Sequence, residues 1–355
     1  MSQFHTLSIA KIKQLTSDTV SISFDIPSNL AETFNYTSGQ YLTLKFNIKG
    51  NDERRAYSLS SSSFTDNLLE VAVKQVENGV VSTYINNDLK EGDKIEVMPP
   101  QGNFVLDTNA SASNHYVAFA AGSGITPIIS MVKSVLDQEP NSKFTLVYGN
   151  KTKESTIFYS ELEELKNNRF EIISVYSREK TGNAVTEGRI NREKVDALLK
   201  ENLDLLKADK FYMCGPEEMI VSVDESLKAF GVNGTKINYE LFTTPVLLAK
   251  ESPKEEENDF NGEATVKVIY DDEEVEFSLK ANGLTILDAA MKEDVDVPFS
   301  CKGAVCCTCK ALVTEGKATM DANYSLSEEE VAEGYILTCQ AHPASSNLVV
   351  DFDEA

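Results

Sequence analysis

Five of the six cysteines of this 355-residue chain fall between Cys301 and Cys339. Cys301, Cys306 and Cys309 are separated by four and then two residues, and Cys339 follows after a further 29. Soft anionic thiolates at this spacing suit the four ligands of a 2Fe-2S cluster. Gly303 is expected to lend backbone freedom, so that loop N–H groups can turn toward the sulfurs. Three other chemistries compete for these residues. Stable disulfides are not expected, because no secretory signal opens the sequence. A structural zinc site more often uses two short-spaced knuckles, whereas three cysteines here crowd one loop and the fourth stands apart. Buried apolar thiols remain the simplest alternative, and that is the reading for Cys307, which lies outside the ligand spacing.

Three upstream stretches carry complementary chemistry. In Arg55-Ala56-Tyr57-Ser58 the arginine offers a planar fork for a pyrophosphate, the tyrosine a stacking face, and the serine a hydroxyl for a ring nitrogen. Gly79-Val80-Val81-Ser82 can open a helix whose free N–H groups meet phosphate. Gly122-Ser123-Gly124-Ile125-Thr126-Pro127 follows an apolar run and precedes a helical stripe, the setting in which glycines let backbone approach a dinucleotide pyrophosphate. It departs from the Rossmann fingerprint, since Pro127 stands at the third glycine, and a tight strand-to-helix connection is the bland alternative. Further along, Ser177-Arg178 offers a hydroxyl and a fork for a 2′-phosphate dianion, though an arginine exposed at a strand end needs no such task.

The elements that must position these residues fall into three regions. Before about residue 108, short runs such as Val20 to Ile26 and Tyr41 to Ile48 alternate apolar and polar residues, as half-buried strands of a small antiparallel barrel do. From His115 a continuous apolar strand, Tyr116 to Ala121, opens an alternation of strands and helices that predicts a parallel, doubly wound sheet. Residues 249–262, charged and interrupted by Pro253, read as a flexible linker. Beyond them a hairpin, a helix over Leu284 to Met291 and short strands predict a small mixed sheet around the cysteine loop. The formal charge is −23, and residues 251–355 carry 24 acidic against 7 basic residues. Nucleic acid and anionic membrane surfaces are therefore not expected as partners. No run of about 18 apolar residues occurs, so neither a membrane span nor a membrane partner is expected, and the expected location is cytoplasmic.

Taken together, the motifs resemble the ferredoxin-NADP reductase superfamily with a C-terminal plant-type ferredoxin. The resemblance implies a multidomain chain: an antiparallel β-barrel FAD domain (1–108), an α/β doubly wound NAD(P) domain (109–248), a linker, and an α+β ubiquitin-like (β-grasp) 2Fe-2S ferredoxin domain (263–355). It puts Arg55, Ala56, Tyr57, Ser58, Val73, Lys74, Gly79, Val80, Val81 and Ser82 on FAD. It puts Gly122, Gly124, Thr126, Pro127, Ser177, Arg178, Cys214, Gly215 and Pro216 on the nicotinamide nucleotide, with Phe242 over the flavin ring. Ser58, Cys214 and Glu240 become the catalytic group, Glu240 carrying protons, and Cys301, Cys306, Cys309 and Cys339 hold the cluster. The Ser177-Arg178 pair favours NADPH over NADH. Domain order is similar to reductase components that serve bacterial oxygenases. Electrons are then expected to run from NADPH through FAD and the cluster to a partner oxygenase, expected to be a di-iron enzyme. A hybrid-cluster or Rieske-type acceptor and a non-catalytic redox-sensing or metal-binding module are the alternatives.

Overall fold

The computed structural model describes residues 4–248 and 260–355; residues 249–259 of the expected linker lie outside the described residues. The first sheet contains β1 (His5–Thr16), β2 (Thr19–Asp25), β3 (Tyr41–Ile48), β4 (Asn51–Ser58), β5 (Leu69–Lys74) and β6 (Lys94–Val97), and α1 (Val80–Asn87) follows β5. Its strands pair antiparallel throughout, in the order β4-β3-β6-β1-β2-β5, and a bridge from Leu59 to Val71 joins the two ends into a barrel. Alternation in β3 sends Leu42, Leu44 and Phe46 into the barrel core with Ile22, Phe24 and Val73, as a period of two requires.

The middle unit comprises β7 (His115–Ala121), α2 (Ile125–Gln138), β8 (Lys143–Asn150), α3 (Tyr159–Leu165), β9 (Phe170–Tyr176), α4 (Arg192–Glu201), β10 (Lys210–Cys214), α5 (Glu217–Ala229) and β11 (Ile237–Glu240). Its sheet is wholly parallel, in the order β11-β10-β7-β8-β9. β7 is apolar from Tyr116 to Ala121, where both faces are covered. Tyr116, Ala118 and Ala120 pack with α2, while Val117 and Phe119 pack with α4 and α5. Strand order reverses between β7 and β10, and ligands bind at such switch points, outside the carboxyl ends of the strands.

The third unit contains β12 (Glu263–Tyr270), β13 (Glu273–Lys280), α6 (Ile286–Lys292), β14 (Lys310–Glu315), β15 (Ala318–Met320), α7 (Glu328–Ala332), β16 (Tyr335–Leu337), β17 (Ala341–Pro343) and β18 (Asn347–Asp351). Its main sheet has the order β13-β12-β18-β14-β16, with β12 and β18 parallel at its centre. Ile286, Leu287 and Ala290 of α6 lie in the core that also takes Val266, Val268 and Val350 from that sheet, the β-grasp arrangement. Thr285 caps α6 by accepting from the Asp288 N–H, and Ser327 and Glu330 form a reciprocal capping box on α7.

Candidate functional site

Because the middle sheet is parallel, Ala121, Asn150, Tyr176, Cys214 and Glu240 all end on one edge. Gly122 follows β7 with φ +55° and open space where a side chain would stand. Gly124 is required for a different reason: a Cβ there would sit 2.0 Å from the Cys214 carbonyl oxygen. The start of α2 can therefore pack on the end of β10 only without a side chain. No side chain caps α1, so its start keeps N–H groups available to an anion; at α2 the Ile125 N–H is taken by the Gly122 and Ser123 carbonyls and Pro127 has none. Thr126 and Pro127 are buried in the first turn of α2, and the Thr126 hydroxyl donates to the Ser123 carbonyl at 3.1 Å.

Three residues from distant parts of the chain meet at this edge. The Ser58 hydroxyl, at the end of β4, donates to Glu240 Oε2 at 3.0 Å, and the Cys214 thiol approaches the same oxygen at 3.9 Å. Burial pushes the Glu240 carboxyl up to about 8, against the smaller opposing effect of these two donors. Burial, reinforced by Glu240, pushes the Cys214 thiol well above its usual range. The cluster is thus a neutral, hydrogen-bonded group at neutral pH, lying where the barrel meets the strand switch point. Gly215 and Pro216 follow Cys214 into α5.

Other expected flavin and nucleotide residues are more dispersed. Tyr57 packs at the margin of the barrel core. Arg55 is nearly half exposed, its fork donating to Glu53 at 3.0 Å and to the Arg54 carbonyl at 2.7 Å. The Val73 and Val81 side chains point into the barrel core, so neither offers its side chain to a ligand; alternation in β5 and the buried face of α1 turn them inward. Lys74 is ion-paired with Asp18 at 3.6 Å. The Ser82 hydroxyl accepts from the Val76 N–H at 3.2 Å and so closes the turn before α1, leaving exposed Val80 and the helix N–H groups facing outward. Ser177 and Arg178 follow β9 on the ligand-side edge, anchored by N–H bonds to the Asn150 and Lys151 carbonyls. Phe242 is 42% exposed.

In the cysteine loop the thiols form two pairs. Cys306 Sγ lies 3.0 Å from Cys301 Sγ, and Cys309 is hydrogen-bonded to Cys339. Among the described residues no three His, Cys, Asp or Glu side chains converge as a single ion demands. The two pairs suit two irons, one pair to each. The Cys306 thiol, and after it the N–H groups of Gly303, Val305 and Cys306, pull Cys301 down to about 6, a cradle that favours bound thiolate. The expected role of Gly303 needs correction. Its N–H does turn to the Cys301 Sγ, at 3.3 Å, but positive φ falls on Lys302 and Ala304 instead, and a Cβ on Gly303 would lie 2.1 Å from the hydroxyl of Thr244, which would have to turn away. Cys307 is buried against the Ser325 carbonyl, and its N–H donates to the Tyr41 hydroxyl at 2.9 Å.

One crevice joins the two centres, lined by Tyr41, Phe104, Glu240, Cys306, Cys307 and Tyr324. Sequence reasoning overlooks Tyr41, Thr43, Arg54 and Thr308, which close the junction between barrel and cysteine loop. The available signal is Arg54 itself, a second arginine on the strand face opposite Arg55.

Comparisons with known proteins match all three units. The sequence matches the oxidoreductase FAD-binding domain over residues 6–106, the oxidoreductase NAD-binding domain over 119–225, and the 2Fe-2S iron-sulfur cluster binding domain over 268–344. The chain belongs to the family of ferredoxin-NADP-reductase-like flavoproteins that carry a C-terminal 2Fe-2S domain, and it is an NAD(P)H-dependent oxidoreductase using FAD and 2Fe-2S. Within that family it is similar to one of the subunits of 1,2-phenylacetyl-CoA epoxidase of Escherichia coli, at 39% identity over 99% of both chains. A 3-ketosteroid-9-alpha-monooxygenase ferredoxin reductase component of Rhodococcus rhodochrous is 32% identical, covering 98% of this chain and 96% of its own. Among solved structures, phthalate dioxygenase reductase aligns over 98% of both chains with a TM-score of 0.60 and 25% identity. No helix among the described residues is long and apolar enough to cross a membrane.

Proposed function

We propose that this chain takes electrons from NADPH and delivers them singly to a di-iron oxygenase of the phenylacetyl-CoA epoxidase kind. The observation that carries this reading is the convergence of Ser58, Cys214 and Glu240 at the switch-point edge, one crevice away from the paired thiols. When bound, FAD accepts hydride from the nicotinamide and yields electrons one at a time, and the cluster carries them singly. The chain's own residues bind, orient and move protons. Arg55 and the α1 N–H groups hold the flavin phosphates, for which Arg55 exchanges Glu53 for pyrophosphate. Tyr57 orients the ring and Ser58 meets its reactive edge. Gly122, Gly124 and the opening of α2 receive the nucleotide pyrophosphate, and Cys214 borders the nicotinamide. Glu240, protonated up to about pH 8, accepts the Ser58 hydroxyl at Oε2 and carries its exchangeable proton on the other carboxyl oxygen. Cys301, Cys306, Cys309 and Cys339 hold the cluster.

Preference for NADPH rests on the exposed Arg178 fork beside Ser177 on the ligand-side edge. The choice of acceptor rests on the likeness to the Escherichia coli epoxidase component over nearly the whole chain. Anaerobic titration of the purified protein should bleach flavin and 2Fe-2S absorption together. Arg178→Ala should raise the KM for NADPH by about tenfold or more, the worth of one charged hydrogen bond, and leave the KM for NADH little changed. An equal rise for both nucleotides overturns the preference. Purified epoxidase and Rieske-type oxygenases, offered as alternative acceptors, decide the partner.

A further inference from the structure

The register of β3 on β4 pairs Tyr41 with Ser58, Thr43 with Ala56 and Lys45 with Arg54. Directly paired residues project to one side of a sheet, so these six share the barrel's outer face, opposite Leu42, Leu44 and Phe46. On a free barrel this row would be solvated. Here Tyr41, Thr43, Arg54 and Ser58 are no more than 5% exposed. Ser58 meets Glu240 at one end. Beside it, the Tyr41 hydroxyl accepts the Cys307 N–H at 2.9 Å and bonds the Thr308 hydroxyl at 3.1 Å, which Thr43 also reaches at 3.1 Å. At the other end Arg54 is bonded to Asp52 and Asp296, donates to the Val297 carbonyl at 3.3 Å, and stands 4.2 Å over the Phe299 ring. Gly102 makes room for the tyrosine, since a Cβ there would lie 2.9 Å from its ring.

We propose that this outer row is the positioning device of the flavin-to-cluster electron step. Tyr41 and Arg54 are positioning residues that seat the cysteine loop against the strand carrying Ser58. Each transfer oxidises the reduced flavin by one electron and reduces the cluster by one, and its rate depends steeply on the gap the row sets. Tyr41 fixes the loop at Cys307, the neighbour of ligand Cys306, while Arg54 fixes the approach to the loop at Asp296 and Phe299. The two anchors flank Cys301 and Cys306, so the loop cannot pivot on either alone.

This inference rests on the reductase reading, and its test separates the two. In holoprotein, Tyr41→Phe and Arg54→Gln are compared with the native chain by stopped flow and by hydrogen exchange. Flavin reduction by NADPH and ferricyanide turnover should be unchanged, with the cluster's spectrum and iron content intact. Cluster reduction should slow by about tenfold or more in Arg54→Gln, with partial recovery in Arg54→Lys. Amides of residues 300–310 should exchange faster in both variants. Native-rate cluster reduction in Arg54→Gln, or a proportional fall in flavin reduction, overturns the proposal, as does loss of the cluster. If neither nucleotide bleaches the native flavin, the reductase reading fails by itself. The exchange arm still decides the seating, which is refuted by equal exchange in native and variant chains.

Discussion

The barrel makes two seams, and they are built differently. Against the dinucleotide domain it shares one core: Ala72, Phe104 and Leu106 pack in the same apolar cluster as Tyr116, Ile128 and Tyr212. Short hydroxyl contacts join it there, Ser38 to Ser134 at 2.6 Å and Ser62 to Ser134 at 2.8 Å, and buried Lys133 reaches the Ser60 carbonyl, Asp66 and Glu161. Against the ferredoxin domain the barrel offers the polar row from Tyr41 to Arg54 and Asn103, which donates to the Ser325 carbonyl and Glu330, and the ferredoxin core contains none of the barrel's residues. A shared core is rigid and costly to open, whereas polar contacts exchange with water at small net cost. Hydride transfer needs one fixed geometry. The ferredoxin domain meets the barrel through polar contacts, while its Val305 and Tyr324 pack against the core of the dinucleotide domain.

The largest effect should come from removing the ferredoxin side. A chain ending at residue 248 should fold, bleach with NADPH and reduce ferricyanide, while reduction of a protein acceptor disappears. Cys309→Ser in the full chain should do the same by abolishing the cluster, and Cys307→Ser should retain it; iron content and absorption check both. Failure of the 248-residue chain to fold would mean that the second seam carries as much of the structure as the first.

A smaller effect tests the first seam. Lys133→Met leaves Asp66 and Glu161 without their shared cation, each only about one-third exposed. Stability should fall by about 1–3 kcal/mol, read as a lower denaturant midpoint, with flavin reduction and cluster reduction declining together. Arg54→Gln should separate those two steps. Parallel behaviour of the two variants would erase the distinction between the seams.

The two seams also differ in how far the sequence discloses them. Thiol spacing, the glycine turn and strand periodicity are local signals, and they foretell the barrel, the doubly wound sheet and the cysteine loop. Leu42, Leu44 and Phe46 announce the inner face of β3 by alternation, but Tyr41, Thr43 and Lys45 then read as a solvated face. Thr43 is fully buried only because Thr308, 265 positions away, covers it. No periodicity encodes a contact between domains. Gly303 teaches the same lesson, since what a side chain there would meet is Thr244, 59 positions away. Motif position alone places Val73 on the flavin, and the alternation of β5 turns its side chain into the core.

Glu240 lines the crevice where the two seams meet, and its titration gives the smallest of these effects. Its carboxyl is raised from 4.5 to about 8 in the folded chain. Between those values the folded protein retains a proton that the unfolded chain has released, so this group's contribution to stability is full below about pH 4.5, falls as pH rises, and levels off above about pH 8. Glu240→Gln cannot ionise and lacks that slope. Relative to the native chain it should gain stability between about pH 5 and about pH 9, read from denaturant midpoints. Flavin reduction by NADPH should fall through about pH 8 in the native protein and show no such fall in the variant, because the amide keeps its hydrogen bond to Ser58 but has no proton to lose. Arg54→Gln, acting at the far end of the same strand face, should leave this pH dependence unchanged. If it shifts the profile, the two ends of the hairpin are coupled and the second seam reaches into the hydride site.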